Sequence, residues 1–170
     1  MAELRVVWSH GKDSPPWGAK STILAEVAKR RGLEMEALDY RGAIDPDVRV
    51  GRLVDHCQAI EGPVALVGSS MGGYASVAAA ALEVRARGVF VLAPALYLPG
   101  YRWQDFPGLR SPVTVVHGWR DELVPVEHIL RFGGVHRCSL HVFDSDHRLI
   151  DKMEEIGALF DGFLARAMAG

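Results

Sequence analysis

At 170 residues, 49% of them hydrophobic and 24% charged, the chain has the composition of a globular protein with a sizeable core. A formal net charge of −2 and a pI near 6.4 leave no electrostatic footprint for nucleic acid or an anionic membrane. No apolar run approaches the roughly 18 residues that a membrane span needs, so neither kind of partner is expected.

Leu4-Arg5-Val6-Val7-Trp8 is predicted as a strand from its β-branched and aromatic content. It runs into His10-Gly11-Lys12-Asp13-Ser14-Pro15-Pro16-Trp17-Gly18, a loop by its breaker residues. Over 19–31, Ile23, Leu24, Val27 and Ala28 recur at helical spacing, and Gly32 stops the helix. A second strand is expected over 33–40. Asp45-Pro46 then pairs an N-cap with a proline at the first helical position, opening a helix that carries Val50, Leu53, Val54, Cys57 and Ile60 on one face. Gly62-Pro63 ends it, and Val64-Ala65-Leu66-Val67 begins a short buried strand. The next helix holds Ala78-Ala79-Ala80-Ala81, read as close packing on the sheet. Strands follow over 88–93, 113–117 and 138–143. A short helix after Pro125 is expected to end at Gly133. The sixth strand alternates polar and apolar residues, as suits a half-exposed edge. The last helix aligns Leu149, Met153, Ile156, Phe160 and Phe163 on one stripe.

Strands alternating with helices imply a parallel sheet covered on both faces, a three-layer α/β/α sandwich. Neither a repeat nor a linker interrupts the pattern, so residues 1–170 read as a single domain. The N-terminus enters a strand pattern almost at once, without the look of a signal peptide. Two cysteines, Cys57 and Cys138, lie in different elements with no disulfide framework, which favours a reduced, cytoplasmic protein. No metal-ligand spacing occurs, so neither metal nor cofactor is expected.

Ligands of such sheets bind beyond the carboxyl ends of the strands. That rim collects His10-Gly11, Ser70, Pro94 onward, Asp121 and His147. Gly68-Ser69-Ser70-Met71-Gly72 fits G-x-S-x-G, a strand turning sharply into a helix with Ser70 at the apex. The N–H of Met71 would point at a substrate oxyanion. Alone, five such residues are equally a Gly/Ser-rich turn. A serine hydroxyl needs a base, itself oriented by a third group, and the chain supplies both downstream. Asp121 follows the fifth strand in His117-Gly118-Trp119-Arg120-Asp121, and His147 follows the sixth after Asp144-Ser145-Asp146.

With Gly68-Ser69-Ser70-Met71-Gly72-Gly73, His117-Gly118-x-x-Asp121-x-x-Val124-Pro125, Asp146-His147 and His10-Gly11, the sequence resembles the α/β-hydrolase superfamily over essentially its whole length. It looks most like small, lidless bacterial esterases of the YqiA-like kind. These also begin at an HG loop containing Ser and Pro and continue into a Lys-bearing helix. The resemblance implies a minimal α/β-hydrolase fold with a mainly parallel six-stranded sheet, lacking the two N-terminal strands of the full family fold. It implies a serine hydrolase acting on small esters or thioesters, with Ser70 as nucleophile, His147 as base and Asp121 as the acid. The backbone N–H groups of Met71 and Lys12 would form the oxyanion site, although family members often have an aromatic residue where Lys12 stands. Larger relatives insert a helical lid after the fourth strand present here. The 94–112 segment, with Pro99-Gly100, Pro107-Gly108 and charged Arg102, Asp105 and Arg110, has no sustained helical stripe. An open cleft favouring short acyl chains is therefore expected.

His10 and His117 are read as braces of their HG turns, and His10, Trp17, Tyr101 and Trp103 as candidate contacts at the mouth. Asp144 and Asp146 are read as turn residues. A small ester or thioester is the expected partner, and the oligomeric state is left open. The rival reading is a catalytically idle α/β-hydrolase scaffold acting as a binding module.

Overall fold

The computed structural model describes residues 2–170. Among them six strands, β1 (Arg5–Ser9), β2 (Met35–Leu38), β3 (Val64–Ser69), β4 (Ala86–Leu92), β5 (Val113–Gly118) and β6 (Ser139–Phe143), form one sheet. Its order is β2-β1-β3-β4-β5-β6, and every neighbouring pair is parallel. Five helices connect or follow the strands: α1 (Ala19–Arg30), α2 (Pro46–Gln58), α3 (Met71–Leu82), α4 (Val126–His136) and α5 (Met153–Ala169).

Successive strand residues face opposite sides of the sheet, and the two cores divide accordingly. Val6, Trp8, Ala65, Val67, Phe90 and Leu92 pack with α1 and α5, whereas Val7, Leu66, Val89, Val91 and Val115 pack with α2, α3 and α4. The three-layer sandwich follows from that alternation. In α3 every residue from Met71 to Ala80 is buried, so its alanines bring the helix close to the sheet. Enlarging one would overpack the layer at a cost of about 1–3 kcal/mol.

Local signals account for most element ends. Asp45 caps α2 by accepting from the Asp47 N–H at 2.8 Å, with Pro46 behind it. Several details depart from the sequence pattern: Ile60 lies beyond the end of α2, and Leu149 precedes α5 in the left-handed region (φ 59°) before a 3-10 turn over Ile150–Lys152. Ile23 is exposed rather than buried, because the contact face of α1 runs through Ser21, Leu24, Val27 and Ala28. Helix α4 also continues past Gly133 to His136 and ends at Arg137 in the left-handed region (φ 51°). Gly133 lies against Leu140, where any Cβ would collide, so this glycine serves packing and not termination.

The strand order reverses between β1 and β3. A crevice opens at such a point beyond the carboxyl ends of the strands. The loop after β1 and the β3–α3 turn meet there. Segment 94–112 forms no helix or strand and folds down, burying Ala95, Leu96, Tyr97 and Phe106. The Tyr74 hydroxyl fastens it by accepting from the Trp103 N–H at 3.0 Å and donating to Asp47 at 2.6 Å. Among the described residues no helix is long and apolar enough to cross a membrane.

Candidate functional site

The β3–α3 turn holds Ser70 at φ 54°, ψ −117°, a conformation side chains rarely adopt. Tertiary bonds enforce it. The Ser70 N–H donates to the Leu92 carbonyl at 2.9 Å, and the Ser70 carbonyl accepts from Ala95 and Tyr74 N–H groups, both at 3.0 Å. Strand and helix approach so closely that a Cβ on Gly68 would strike the Gly72 carbonyl, and one on Gly72 the Ser9 carbonyl. The two glycines of the G-x-S-x-G pattern are therefore steric requirements of the turn.

His147 reaches Ser70 from the loop after β6, with Nε2 3.0 Å from Oγ. Its Nδ1 lies 2.7 Å from Asp121 Oδ2. With Nδ1–H donating to the carboxylate, Nε2 is the acceptor left for the serine hydroxyl. The other Asp121 oxygen accepts the N–H groups of Leu123 at 2.9 Å and Val124 at 2.8 Å. Burial pushes the Asp121 carboxyl up, but the bonds from His147, Val124 and Leu123 outweigh it and hold the group below its ordinary range. The side chain is fully buried, so the carboxylate persists only because those donors replace water.

The other carboxylates nearby have separate tasks. Asp146 Oδ1 accepts the Arg148 N–H at 2.9 Å and the Leu149 N–H at 3.3 Å, closing its own turn. Asp144 pairs outward with Arg120 at 2.7 Å. Among the described residues, no three His, Cys, Asp or Glu side chains gather where they would hold a metal ion.

The family of α/β hydrolase domains matches residues 48–169. The chain belongs to the α/β-hydrolase family. This hydrolase is 30% identical to a Xanthomonas campestris pv. campestris protein assigned to the α/β superfamily of hydrolases. That match covers 95% of this chain and 98% of the other, with a TM-score of 0.84. It shares its fold with Est1E from Butyrivibrio proteoclasticus (19% identity, 98% and 88% covered, TM-score 0.79). The Pyrococcus furiosus esterase Pf2001 is similar in the same sense (20% identity, 96% and 83% covered, TM-score 0.76). No curated protein matches the sequence.

In this α/β hydrolase Ser70 and His147 open onto a cleft of about 600 Å³. Lys12, His10 and Tyr101 line it, while Trp17 and Trp103 lie outside its lining. Trp17 projects into solvent from the 10–18 loop. Trp103 turns instead against the core and under the Arg102 guanidinium, 5.0 Å from its ring. Among the described residues, the N–H groups of Lys12 and Met71 donate to no protein acceptor. A Cβ on Gly11 would lie 3.7 Å from the Ser70 Cβ, which sets the 10–12 backbone beside the serine.

Sequence patterns did not single out the residue that shapes this backbone. Arg49 of α2 is 1% exposed and donates Nη1–H to the carbonyls of His10 (2.8 Å) and Gly11 (3.3 Å). Its Nη2–H reaches the Lys12 carbonyl at 3.4 Å, and its Nε–H the Ala43 carbonyl at 2.9 Å. The guanidinium also lies 5.1 Å from the centre of the Tyr40 ring. Among the described residues no carboxylate bonds it, and burial draws its pKa down. The available signal was an arginine four residues before Leu53, inside the apolar stripe of an amphipathic helix. His10 completes the brace: Nδ1–H donates to the Gly11 carbonyl at 2.7 Å, and Nε2 accepts the Tyr40 N–H at 2.8 Å. Burial lowers the His10 pKa, in keeping with this neutral tautomer.

Proposed function

We propose that this hydrolase cleaves small carboxylic esters or thioesters through an acyl-enzyme on Ser70. The observation that carries the reading is the continuous chain from Ser70 through His147 to Asp121, at 3.0 and 2.7 Å, opening onto a cleft. His147 Nε2 takes the hydroxyl proton as Ser70 Oγ bonds to the acyl carbon. It returns that proton to the departing alcohol or thiol as the bond to the acyl carbon breaks. Water then repeats the sequence, its oxygen bonding to the acyl carbon and its proton passing through His147 to Ser70. Asp121 fixes the imidazole tautomer and stabilises the imidazolium that forms. The unengaged N–H groups of Met71 and Lys12 are the donors for the tetrahedral oxyanion, and such a donor contributes about 10²–10³ in rate.

The 94–112 segment forms no covering helix and lends the cleft only Ala95, Leu98 and Tyr101, so most of a long acyl chain would stay in water. Each methylene left there forfeits about 0.8 kcal/mol of binding, which favours short chains. We place the enzyme in the reducing cytoplasm. Its cysteines support this: both thiols are free, and burial pushes them up to about 12 at Cys57 and about 11 at Cys138.

The test is labelling by a fluorophosphonate together with hydrolysis of p-nitrophenyl butyrate. The wild-type protein should be labelled and active, and Ser70→Ala should lose both. A folded wild-type protein that resists labelling and leaves the ester intact would instead be the idle scaffold.

A further inference from the structure

The machinery above leaves unused three cations that share its cleft. Lys12 lies on the loop after β1, Lys20 on the first turn of α1, and Arg148 next to His147; all three line the cleft with Ser70. Among the described residues, none of their side chains makes an ion pair or a hydrogen bond. The carboxylates nearby do not neutralise them. Asp13 is the single carboxylate in the lining. Asp121 is committed to His147 and two backbone N–H groups, and Asp146 closes its own turn. The local excess of positive charge contrasts with a chain whose net charge is −2.

Lys20 is the most telling of the three. A surface lysine keeps its ammonium in water, as the exposed Lys12 and Arg148 do, whereas Lys20 is half-buried in the cleft. Burial presses its pKa down to about 8, Arg148 adds to the effect, and Asp146 and Asp121 only partly oppose it. A desolvated cation without a partner costs free energy unless a ligand supplies the counter-charge. The cleft offers apolar contacts besides, from Ala95, Leu98, Leu123 and Ile150.

We infer that the cleft selects esters carrying a carboxylate, which Lys20 binds with help from Arg148 and Lys12 while Ser70 attacks the ester carbonyl. This rests on the serine-hydrolase reading above. The carboxylate can belong to the acyl or the alcohol half, so two pairs of esters are compared. In the first, p-nitrophenyl hydrogen adipate is set against p-nitrophenyl hexanoate, matched in chain length. In the second, 4-(butanoyloxy)benzoate is set against phenyl butanoate, which moves the carboxylate to the leaving group. Each kcat/KM is divided by the hydroxide-catalysed rate of the same ester.

The wild-type enzyme should favour the charged member of at least one pair by tenfold or more. Lys20→Met should cut that ratio by about tenfold, and Lys20→Arg should keep most of it. Arg148→Met should lower it by a smaller factor. Ratios near one in both pairs, or a ratio that Lys20→Met leaves unchanged, would overturn the inference. If the uncharged esters are still hydrolysed in a Ser70-dependent way, only the selectivity assignment has failed. If no ester turns over and Ser70 resists the fluorophosphonate, the serine-hydrolase reading has failed and takes this one with it.

Discussion

Two His-Gly turns, His10-Gly11 after β1 and His117-Gly118 after β5, begin alike and are held by opposite means. In the second, His117 donates Nε2–H to the Val124 carbonyl at 2.9 Å, only seven residues on. Within the same stretch Asp121 accepts two N–H groups, while the Trp119 and Arg120 N–H groups reach across to the carbonyls of Phe143 and Ser145 at and just past the end of β6. The carboxylate thus accepts its backbone N–H groups from its own turn, and that turn leans on the neighbouring β6 end. Among the described residues His117 Nδ1 is left buried without a partner, and burial lowers the pKa of that ring, so it stays neutral beneath Asp121. In the first turn the carbonyls of residues 10–12 are instead gathered by Arg49, which lies 37 to 39 residues away. One side of the site is braced by its own turn and the adjacent β6 end, and the other by a side chain from a distant helix. Changes in α2 should therefore damage the oxyanion side and spare the acid side.

The largest expected effect lies on the locally braced side. Asp121→Asn should lower kcat for p-nitrophenyl butyrate by about 10³ or more, since the imidazole loses its tautomer and its counter-charge. Asp146→Asn, adjacent to His147 in sequence but engaged in its own turn, should cost less than about tenfold. Steady-state kinetics on both variants checks the assignment, and the reverse order would move the acid role to Asp146.

On the remotely braced side the effect should be intermediate. Arg49→Met removes the fork from four carbonyls and lets the Lys12 N–H drift from the position where oxyanion charge develops. The expected result is a kcat lower by about ten- to hundredfold with KM changed much less, because the ground-state ester does not depend on that donor. Arg49→Lys should recover only part of the loss, as a point charge cannot span the same carbonyls. An unchanged kcat in Arg49→Met would mean that the loop holds its shape unaided, and the contrast between the two turns would disappear.

The smallest effect concerns stability at the helix that the first turn feeds. Lys20 has a folded-state pKa near 8, against about 10.4 for a free lysine. The unfolded chain therefore binds more protons between these values, and stability rises with pH across that window. Below about pH 8 the full cost of the buried charge is present. Lys20→Met should then stabilise the protein at pH 7 by about 1–3 kcal/mol. The gain should shrink as pH approaches about 10. Urea midpoints at pH 7 and 10 measure it, and a gain independent of pH would show that Lys20 is not held in a desolvating site.

Much of the fold was legible because its signals are local. A proline behind Asp45, β-branched runs bounded by turn residues, and glycines either side of Ser70 each act within a few residues. The chain order of Ser70, Asp121 and His147 could also be read, since each follows a strand and parallel strands deliver their ends to one rim. Less was visible where a residue answers to neighbours far off in sequence. Gly133 looked like a stop and proved to be a contact for Leu140. Trp17 and Trp103 looked like mouth residues, yet solvent holds one and the core the other.

By itself, then, the sequence determined the alternation of strands and helices, the Ser70 turn and the identity of the side chains on the rim, because short-range sterics and hydrophobic period are written residue by residue. Only the tertiary structure decided that Arg49 clamps the first turn, that Tyr74 and Asp47 tie down the 94–112 segment, and that Lys20 is half-buried in the cleft Ser70 lines. Burial and long-range hydrogen bonding belong to no residue alone: they arise when elements tens of residues apart close around it.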